Sequence, residues 1–489
     1  MSFWILALYY LVLGTLAAYG LHRLLLVREF LRQPATSPVA GGGDGGDGGG
    51  GGGDWPGVTV QLPIFNERYV AERLIDAVCA LDYEQGKLEI QVLDDSVDDT
   101  SEIVRARVAA HRAAGIDIVH LRREDRAGYK AGALAAGHRL AKGELLAVFD
   151  ADFVPPADFL RRSVPPFADP RIGMVQARWG HLNRNDSLLT KVQAMLLDGH
   201  FVVEHAARHR SGCLFNFNGT AGIWRRQTIE DAGGWEHDTL TEDLDLSYRA
   251  QLRGWRFHYL PELVVPAELP IDIRSFKSQQ HRWAMGSIQT CRKLLKRVLA
   301  APLSLRAKIE AFVHLTANST YALMVLLSLL IFPAMIFRQG EEAWKLLLID
   351  LPLFGAATLA IATFFLVSQR QPGGISKALA LAQLPALMAL GMGMAVNNTR
   401  AVLAGLTIDG GVFHRTPKYR GDGAGPVAKK YQLRRSRGLA IESLLALYFA
   451  ICFAAAIYFG MWLSLPFLWL FLQGYGYVTW LGLAAPRAA

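Results

Sequence analysis

What most restricts this chain is the placement of its apolar runs. One stands near the N-terminus, "FWILALYYLVLGTLAAYGL", and others follow a long polar middle at roughly 312–337, 344–368, 376–395, 439–463 and 465–485. A run of about 20 apolar residues matches the hydrocarbon thickness of a bilayer. Backbone inside that layer satisfies its hydrogen bonds only as a helix or a closed barrel. The two ends are therefore expected to be helical membrane elements, which leaves the fold question to the middle. Composition agrees, since 52% hydrophobic and 19% charged residues over 489 positions is too apolar for an ordinary soluble enzyme.

The net charge of +8 lies largely beside these apolar runs, so it reports membrane orientation rather than a nucleic-acid partner. A secretory signal would carry its positive charge in front of the first run. Here the cluster follows it, in "HRLLLVREFLR", which predicts an uncleaved anchor with the next domain in the cytoplasm. Cys79, Cys213, Cys291 and Cys452 have neither metal-ligand nor disulfide spacing. Gly41–Asp54 is a Gly/Asp linker that buries no core. The stretch "FHRTPKYRGDGAGPVAKKYQLRRSR" holds eight Lys/Arg against one Asp and is expected on the cytoplasmic side. Crossing of all three preceding segments would put it outside. The short Ala/Gly/Met-rich segment 376–395 is therefore expected to be re-entrant or interfacial; the alternative is that the charge rule fails here.

From Val58 to Pro266, β-rich runs ("VTVQLPI", "EIQVLDDS", "IDIVHL", "LLAVFDAD", "GMVQARW") alternate with helical stretches ("AERLIDAVCALD", "KAGALAAGHRLAKG"). That alternation predicts a mostly parallel α/β sheet, with ligands beyond the carboxyl ends of its strands. Asp94-Asp95 and Asp150-Ala-Asp152 both fall at such ends. In an extended segment Asp150 and Asp152 share one side, where they repel unless a cation sits between them. Mg²⁺ or Mn²⁺, which take carboxylates and substrate phosphates, answer that need; a solvated loop is the plain alternative. In "TLTEDLDLSYRAQLRGW", Asp243 is a candidate to take a proton from an attacking hydroxyl, against simple helix capping by Thr241 and first-turn acids. In "QQHRW", Arg282 suits a diphosphate and Trp283 a sugar ring, against an interfacial helix where both types are at home.

These segments in order, with "PIFNE" (63–67), "QVLDDS" (91–96), "KAGAL" (130–134), "FDADFVP" (149–155), "VQARW" (175–179), "FNGTAGIWR" (217–225), "AGGW" (232–235) and "QQHRWAMGS" (279–287), are far more specific than any one. The chain resembles the family 2 processive β-glycan synthases, most closely the plant cellulose-synthase-like A (gluco)mannan synthases. The likeness is close over roughly 56–300 and looser in the membrane part. It implies an α/β, GT-A type nucleotide-diphospho-sugar transferase domain inserted between an N-terminal transmembrane helix and a C-terminal helical membrane domain. The expected parts are an anchor at 1–25, a basic segment and linker at 26–55, the transferase domain at 56–266, amphipathic interface helices at 267–311, and a membrane domain of about 4–5 spans at 312–489 with a gating-like loop at 412–437.

The resemblance also implies roles. Pro63, Phe65, Glu67, Asp95, Lys130 and Asp150 would bind the donor nucleotide-sugar. Asp150 and Asp152 would hold Mg²⁺ or Mn²⁺, and Asp243 would be the general base of an inverting attack. Gln279, Arg282, Trp283, Asn218, Gly219 and Thr220 would bind the diphosphate and the acceptor end. Phe413, Thr416 and Lys418 match a gating loop, but Arg415 stands where Val is usual and Pro417 stiffens the turn. The implied donor is GDP-mannose, UDP-glucose or GDP-glucose, the acceptor a growing polysaccharide, and the setting a multi-pass protein of the inner or plasma membrane with a cytoplasmic catalytic domain. Nucleic acid is not expected as a partner, and accessory subunits are left open. Two other functions compete: a lipid glycosyltransferase adding one hexose to diacylglycerol or ceramide, and a non-catalytic channel with a dead transferase domain. Retention of Asp150, Asp152, Asp243 and Trp283 together argues against the second.

Overall fold

The computed structural model describes residues 2–32, 55–338, 343–371, 374–413, 415–418 and 438–484. The expected Gly/Asp linker and most of the basic loop 412–437 lie outside these residues.

The middle of the chain forms one seven-stranded sheet: β1 Val58–Ile64, β2 Leu88–Asp94, β3 Ile118–Arg122, β4 Leu145–Val148, β5 Ile172–His181, β6 Gly222–Arg225 and β7 Arg256–Ala267. Their order is β3-β2-β1-β4-β6-β5-β7. Only β6 runs antiparallel to its neighbours, β4 and β5. The period of two is visible in β4, where Leu145 and Ala147 join the apolar layer of Val60, Leu62 and Ile75, while Leu146 and Val148 join the opposite layer with Leu134 and Trp224. Both faces are covered, as a parallel sheet requires.

Two strands escape sequence patterning. β6 has only four residues, and β7 carries Pro261 and Pro266, which read as breaks. A bulge absorbs Pro261: the β5–β7 register jumps from Ala177↔Leu260 to Arg178↔Val264. The expected geometry of Asp150 and Asp152 also needs a correction. β4 ends at Val148, and Asp150 starts a turn closed by the Phe153 amide on its carbonyl at 3.0 Å, so Asp150 and Asp152 are not in an extended segment.

The N-terminal helix runs Ser2–Arg32, so residues 26–32 continue the expected anchor rather than begin a linker. Four described helices are long and apolar enough to cross a membrane: Phe3–Arg32, Leu305–Phe337, Leu348–Ser368 and Gly438–Tyr458. Lys377–Gly393 and Ala395–Thr407 meet at a 41° bend, the geometry of a broken span or re-entrant loop, where the sequence led us to expect one. The run at 465–485 forms the helix Leu465–Ala484. Gln473, Thr479 and the Gly-Tyr-Gly-Tyr stretch of that helix keep it out of the strongly apolar set. The 28-residue helix Ile273–Ala300, which bears "QQHRW", ties sheet to membrane. Its Lys277 is buried against Glu442 at 2.5 Å, and the Lys277 carbonyl accepts from Asn397 at 3.0 Å.

Candidate active site

One cavity collects the lining segments. It is bounded by Pro63 at the end of β1, Phe65 and Glu67 just after it, Asp95 after β2, Lys130 on the helix Tyr129–Leu140, Asp150 and Asp152 after β4, Asn218, Gly219, Asp243, the helix residues Gln279, Arg282 and Trp283, and Phe413, Thr416 and Lys418. These are the singled-out residues with one exception. Thr220 is fully buried, and its hydroxyl accepts from the Asp150 amide at 2.9 Å. It supports the Asp150 turn and does not face the cavity, because β6 begins just beyond it and turns its side chain inward.

The backbone here is locally strained. Among the described residues, Asn66, Tyr129 and Ala221 are the non-glycine positions with positive φ, at 55°, 49° and 54°. Each sits in a segment that lines or supports the cavity, as strain stored at functional sites commonly does. Gly219 (φ +79°) is required twice over, since a Cβ there would also lie 3.0 Å from Asp243 Oδ2. Gly286, the glycine of "QQHRWAMGS", lets its helix pack onto Thr241, whose backbone and side chain a Cβ would meet at 2.6–2.8 Å. The helix Glu242–Leu252 thus starts under a fixed roof. Thr241 makes no side-chain cap of that helix, so the capping alternative is not what this residue does; its hydroxyl faces Thr290 at 3.4 Å.

Charges in the cavity are paired. Lys130 Nζ donates to Asp150 Oδ1 at 2.5 Å and to the Gly219 carbonyl at 2.7 Å. Burial alone would lower the Lys130 ammonium, but Asp150, Glu242 and Asp243 outweigh it and hold its pKa above the usual value. Asp95 is gripped by Arg123. Lys418 Nζ donates to Asp152 Oδ2 at 2.6 Å, and Arg415 forks onto both Glu67 oxygens at 2.7 Å. Burial still pushes the Glu67 carboxyl up to about 7 against the pull of Arg415. Phe413 stacks on Tyr129 (centroids 6.1 Å) and lies under the Arg282 guanidinium at 4.2 Å. Phe413, Arg415, Thr416 and Lys418 therefore line the cavity, and Arg415, the departure from the expected loop pattern, is one of the anchors. Asp243 is the unusual acid. Burial first and Glu242 second raise it to about 7, although Lys130 and the Leu244 amide pull the other way.

Sequence reasoning missed three groups. Gln289 accepts from the Leu240 amide at 2.9 Å and donates to the Ile408 and Gly410 carbonyls, binding the Asp243 loop to the segment that leads into 413–418. Arg126 lies 3.3 Å over the Phe65 ring. His200 and His205 both face Asn218. Their signal was absent because two are single polar residues outside any motif and the imidazoles lie five apart. A further acidic group, Glu236, Asp238 and Asp245, converges on the Lys293 ammonium at 2.5–3.0 Å, which fills the place a cation would take.

Residues 56–286 match the family described as "Glycosyltransferase like family 2". Over that stretch, just under half of the chain, the domain matches the family 2 glycosyltransferases. "Glucomannan 4-beta-mannosyltransferase 2" of Arabidopsis thaliana is 46% identical to it over 251 residues, covering 50% of this chain and 47% of that protein. "Probable glucomannan 4-beta-mannosyltransferase 6" of Oryza sativa subsp. japonica is 41% identical over 306 residues, covering 60% of this chain and 53% of that protein. The chain thus spans about half the length of the curated relatives it matches. A mannosyltransferase from Pyrobaculum calidifontis, solved in complex with GDP-Man and Mn2+, shares the fold (TM-score 0.54, 21% identity, 82% of this chain and 99% of that one). The family 2 glycosyltransferase domain accordingly has the GT-A type sheet that its motif order implied.

Proposed function

We propose that the protein is an inverting glycosyltransferase that elongates a β-linked mannan or glucomannan from a nucleotide-diphospho-sugar and passes it into its own membrane domain. The observation that carries this is the convergence, in one cavity, of a partly buried carboxylate poised near neutrality (Asp243), a pair of turn acids (Asp150, Asp152) and the Gln279–Trp283 helix. That helix continues straight into contact with membrane elements. The relatives named for glucomannan 4-beta-mannosyl transfer favour a mannosyl donor, which we take to be GDP-mannose, and a polymer as product over a single-sugar lipid. By the membrane charge pattern, the transferase domain faces the cytoplasm.

The donor set at Asp150 and Asp152 fits a hard divalent cation: two carboxylates one residue apart, oxygen ligands only, with substrate phosphates to complete the shell. Bound there, Mg²⁺ or Mn²⁺ would neutralise charge on the donor diphosphate. The protein's own groups do the rest. Lys418 and Lys130 hold the two acids before substrate enters, and Arg282 supplies a bidentate cation for the leaving diphosphate. Trp283 offers an apolar face to the acceptor ring. Asp243, with one oxygen held by the Leu244 amide at 2.8 Å, takes the acceptor hydroxyl proton through its other oxygen as the hydroxyl attacks the anomeric carbon.

The test uses the full chain in nanodiscs with Mg²⁺ or Mn²⁺, given radiolabelled GDP-mannose, UDP-glucose and GDP-glucose separately. Ethanol-insoluble product that β-mannanase degrades is the expected result. A product that partitions into organic solvent carrying one sugar would replace this proposal with the lipid transferase.

A further inference from the structure

The helix Leu188–Asp198 does not simply continue. At Gly199–His205 it widens into a π-turn before resuming as Ala206–Arg210. In an α-helix, residues five apart point about 140° away from each other. In a π-turn, bonded i to i+5, they stand one above the other. His200 and His205 do so, with ring centroids 4.4 Å apart. Both Nε2 atoms face the carboxamide of Asn218: His205 lies 2.9 Å from Oδ1 and 2.8 Å from Nδ2, His200 3.3 and 3.2 Å. Asn218 in turn lines the cavity next to Gly219 and Asp243.

The bonding pattern assigns the protons. Glu204 accepts from His200 Nδ1 at 3.0 Å and stays anionic, because Arg208 and His200 outweigh its burial. With its Nδ1–H donating to Glu204, His200 presents Nε2 to one Asn218 N–H at 3.2 Å. Asn216 Nδ2 donates to Asn218 Oδ1 at 3.0 Å. His205, wholly buried among Phe201, Phe215 and Tyr259, leaves Nδ1 without a partner, so its proton sits on Nε2 and donates to the same Oδ1. One Asn218 N–H remains. We propose that His200 and His205, brought together by the π-turn, are positioning residues that fix the Asn218 carboxamide so that this N–H donates to a hydroxyl oxygen of the acceptor sugar. The proposal rests on the glycosyltransferase reading above and names residues that decide acceptor, not donor, affinity.

The experiment uses the full chain in nanodiscs with GDP-mannose and β-1,4-mannotetraose as acceptor, and reads acceptor KM, kcat and the Kd for GDP. His205→Phe keeps the ring packing and loses the donor. It is expected to raise acceptor KM about tenfold, the scale of one hydrogen bond, with the GDP Kd unchanged. His205→Gln, which restores an N–H, recovers most of that loss. In an Asn218→Ala background His205→Phe adds nothing further, because it acts through Asn218. Should His205→Phe fail to fold, His200→Phe at the more exposed ring reads the same coupling. An unchanged acceptor KM, a parallel change in GDP Kd, or full additivity with Asn218→Ala overturns the proposal. If the wild-type protein extends no acceptor, the glycosyltransferase reading fails first and this falls with it; if it does extend one and the variants match it, the positioning role alone is wrong.

Discussion

On the side of the cavity beneath β1, β2 and β4, the carboxylates of Glu67, Asp95, Asp150 and Asp152 each meet a cation: Arg415, Arg123, Lys130 and Lys418. The opposite side, where the π-turn meets Asn218, is held by imidazole and amide hydrogen bonds beside a ring of aromatic side chains, with one carboxylate, Glu204, paired to His200 and Arg208 behind them. Charged walls are expensive to bury unless every member is paired. Their residues therefore must occur as complementary types. A mainly neutral wall needs only good hydrogen-bond geometry, which the backbone supplies. The donor side of the site should accordingly respond to mutation in large, charge-dependent steps, and the acceptor side in small, salt-insensitive ones.

The largest effect is expected at the boundary of the two walls. Asp243→Asn keeps the shape of the side chain and removes the base, so kcat should fall on the order of 10³-fold while GDP affinity holds. Because burial and Glu242 raise Asp243 to about 7, the base is protonated and idle below that pH. The wild-type rate should climb as pH rises through neutrality. Lys130→Met, which removes a charge that holds the proton off, should shift that limb to higher pH; a flat profile between pH 6 and 8 would remove Asp243 from the role.

On the donor wall, Asp152→Asn should lower metal-dependent transfer about 100-fold or more. It should also weaken Mn²⁺ binding measured by electron paramagnetic resonance on the protein with GDP. The Glu236, Asp238 and Asp245 group lies outside the cavity that would hold the donor, so Asp238→Asn should leave Mn²⁺ binding in the presence of GDP as it was. The next step down is Arg415→Val. It leaves Glu67 buried without its partner, a loss of about 3 kcal/mol for a pair this enclosed. Faster amide exchange across 415–418 and a several-fold higher donor KM should report it. Unchanged exchange would mean that Phe413 and Lys418 alone hold the segment.

The same contrast explains what could be seen in the sequence. β1, β2, β4 and β5 were legible because strands buried on both faces read as apolar runs, and their acids stood at strand ends. Gln279, Arg282 and Trp283 were legible as a motif whose spacing keeps them together on a helix, and the structure brings them to the same cavity. β7 was hidden by Pro261, which only the bulge against β5 makes tolerable. Thr220 was grouped with Asn218, since residues two apart in an extended segment face the same way, but Gly219 turns the chain at positive φ and Thr220 faces the Asp150 amide instead. His200 and His205 were invisible for a sharper reason: their five-residue spacing means separation in the helix that the local pattern predicts, and juxtaposition only in the π-turn.

The smallest predicted effect is the one that most sharpens the contrast. Tyr259, on β7, donates from its buried hydroxyl to the Phe201 carbonyl in the π-turn at 2.7 Å. Tyr259→Phe removes one neutral hydrogen bond and leaves a buried carbonyl short of a partner, which costs about 1 kcal/mol of stability. The ring itself stays to pack on His205. The turn should loosen slightly, and acceptor KM should rise about twofold, while GDP affinity, the pH limb set by Asp243 and the response to salt remain those of the wild type. The Tyr259–Phe201 bond is neutral and moves no charge, so nothing carries this change across to Glu67, Asp150 or Asp152. If Tyr259→Phe moved the GDP Kd as much as the acceptor KM, the two walls would have to share one rigid element, and the sheet strand β7 that carries both Tyr259 and the Asp152-bonded backbone at Glu268 just beyond it would be that element.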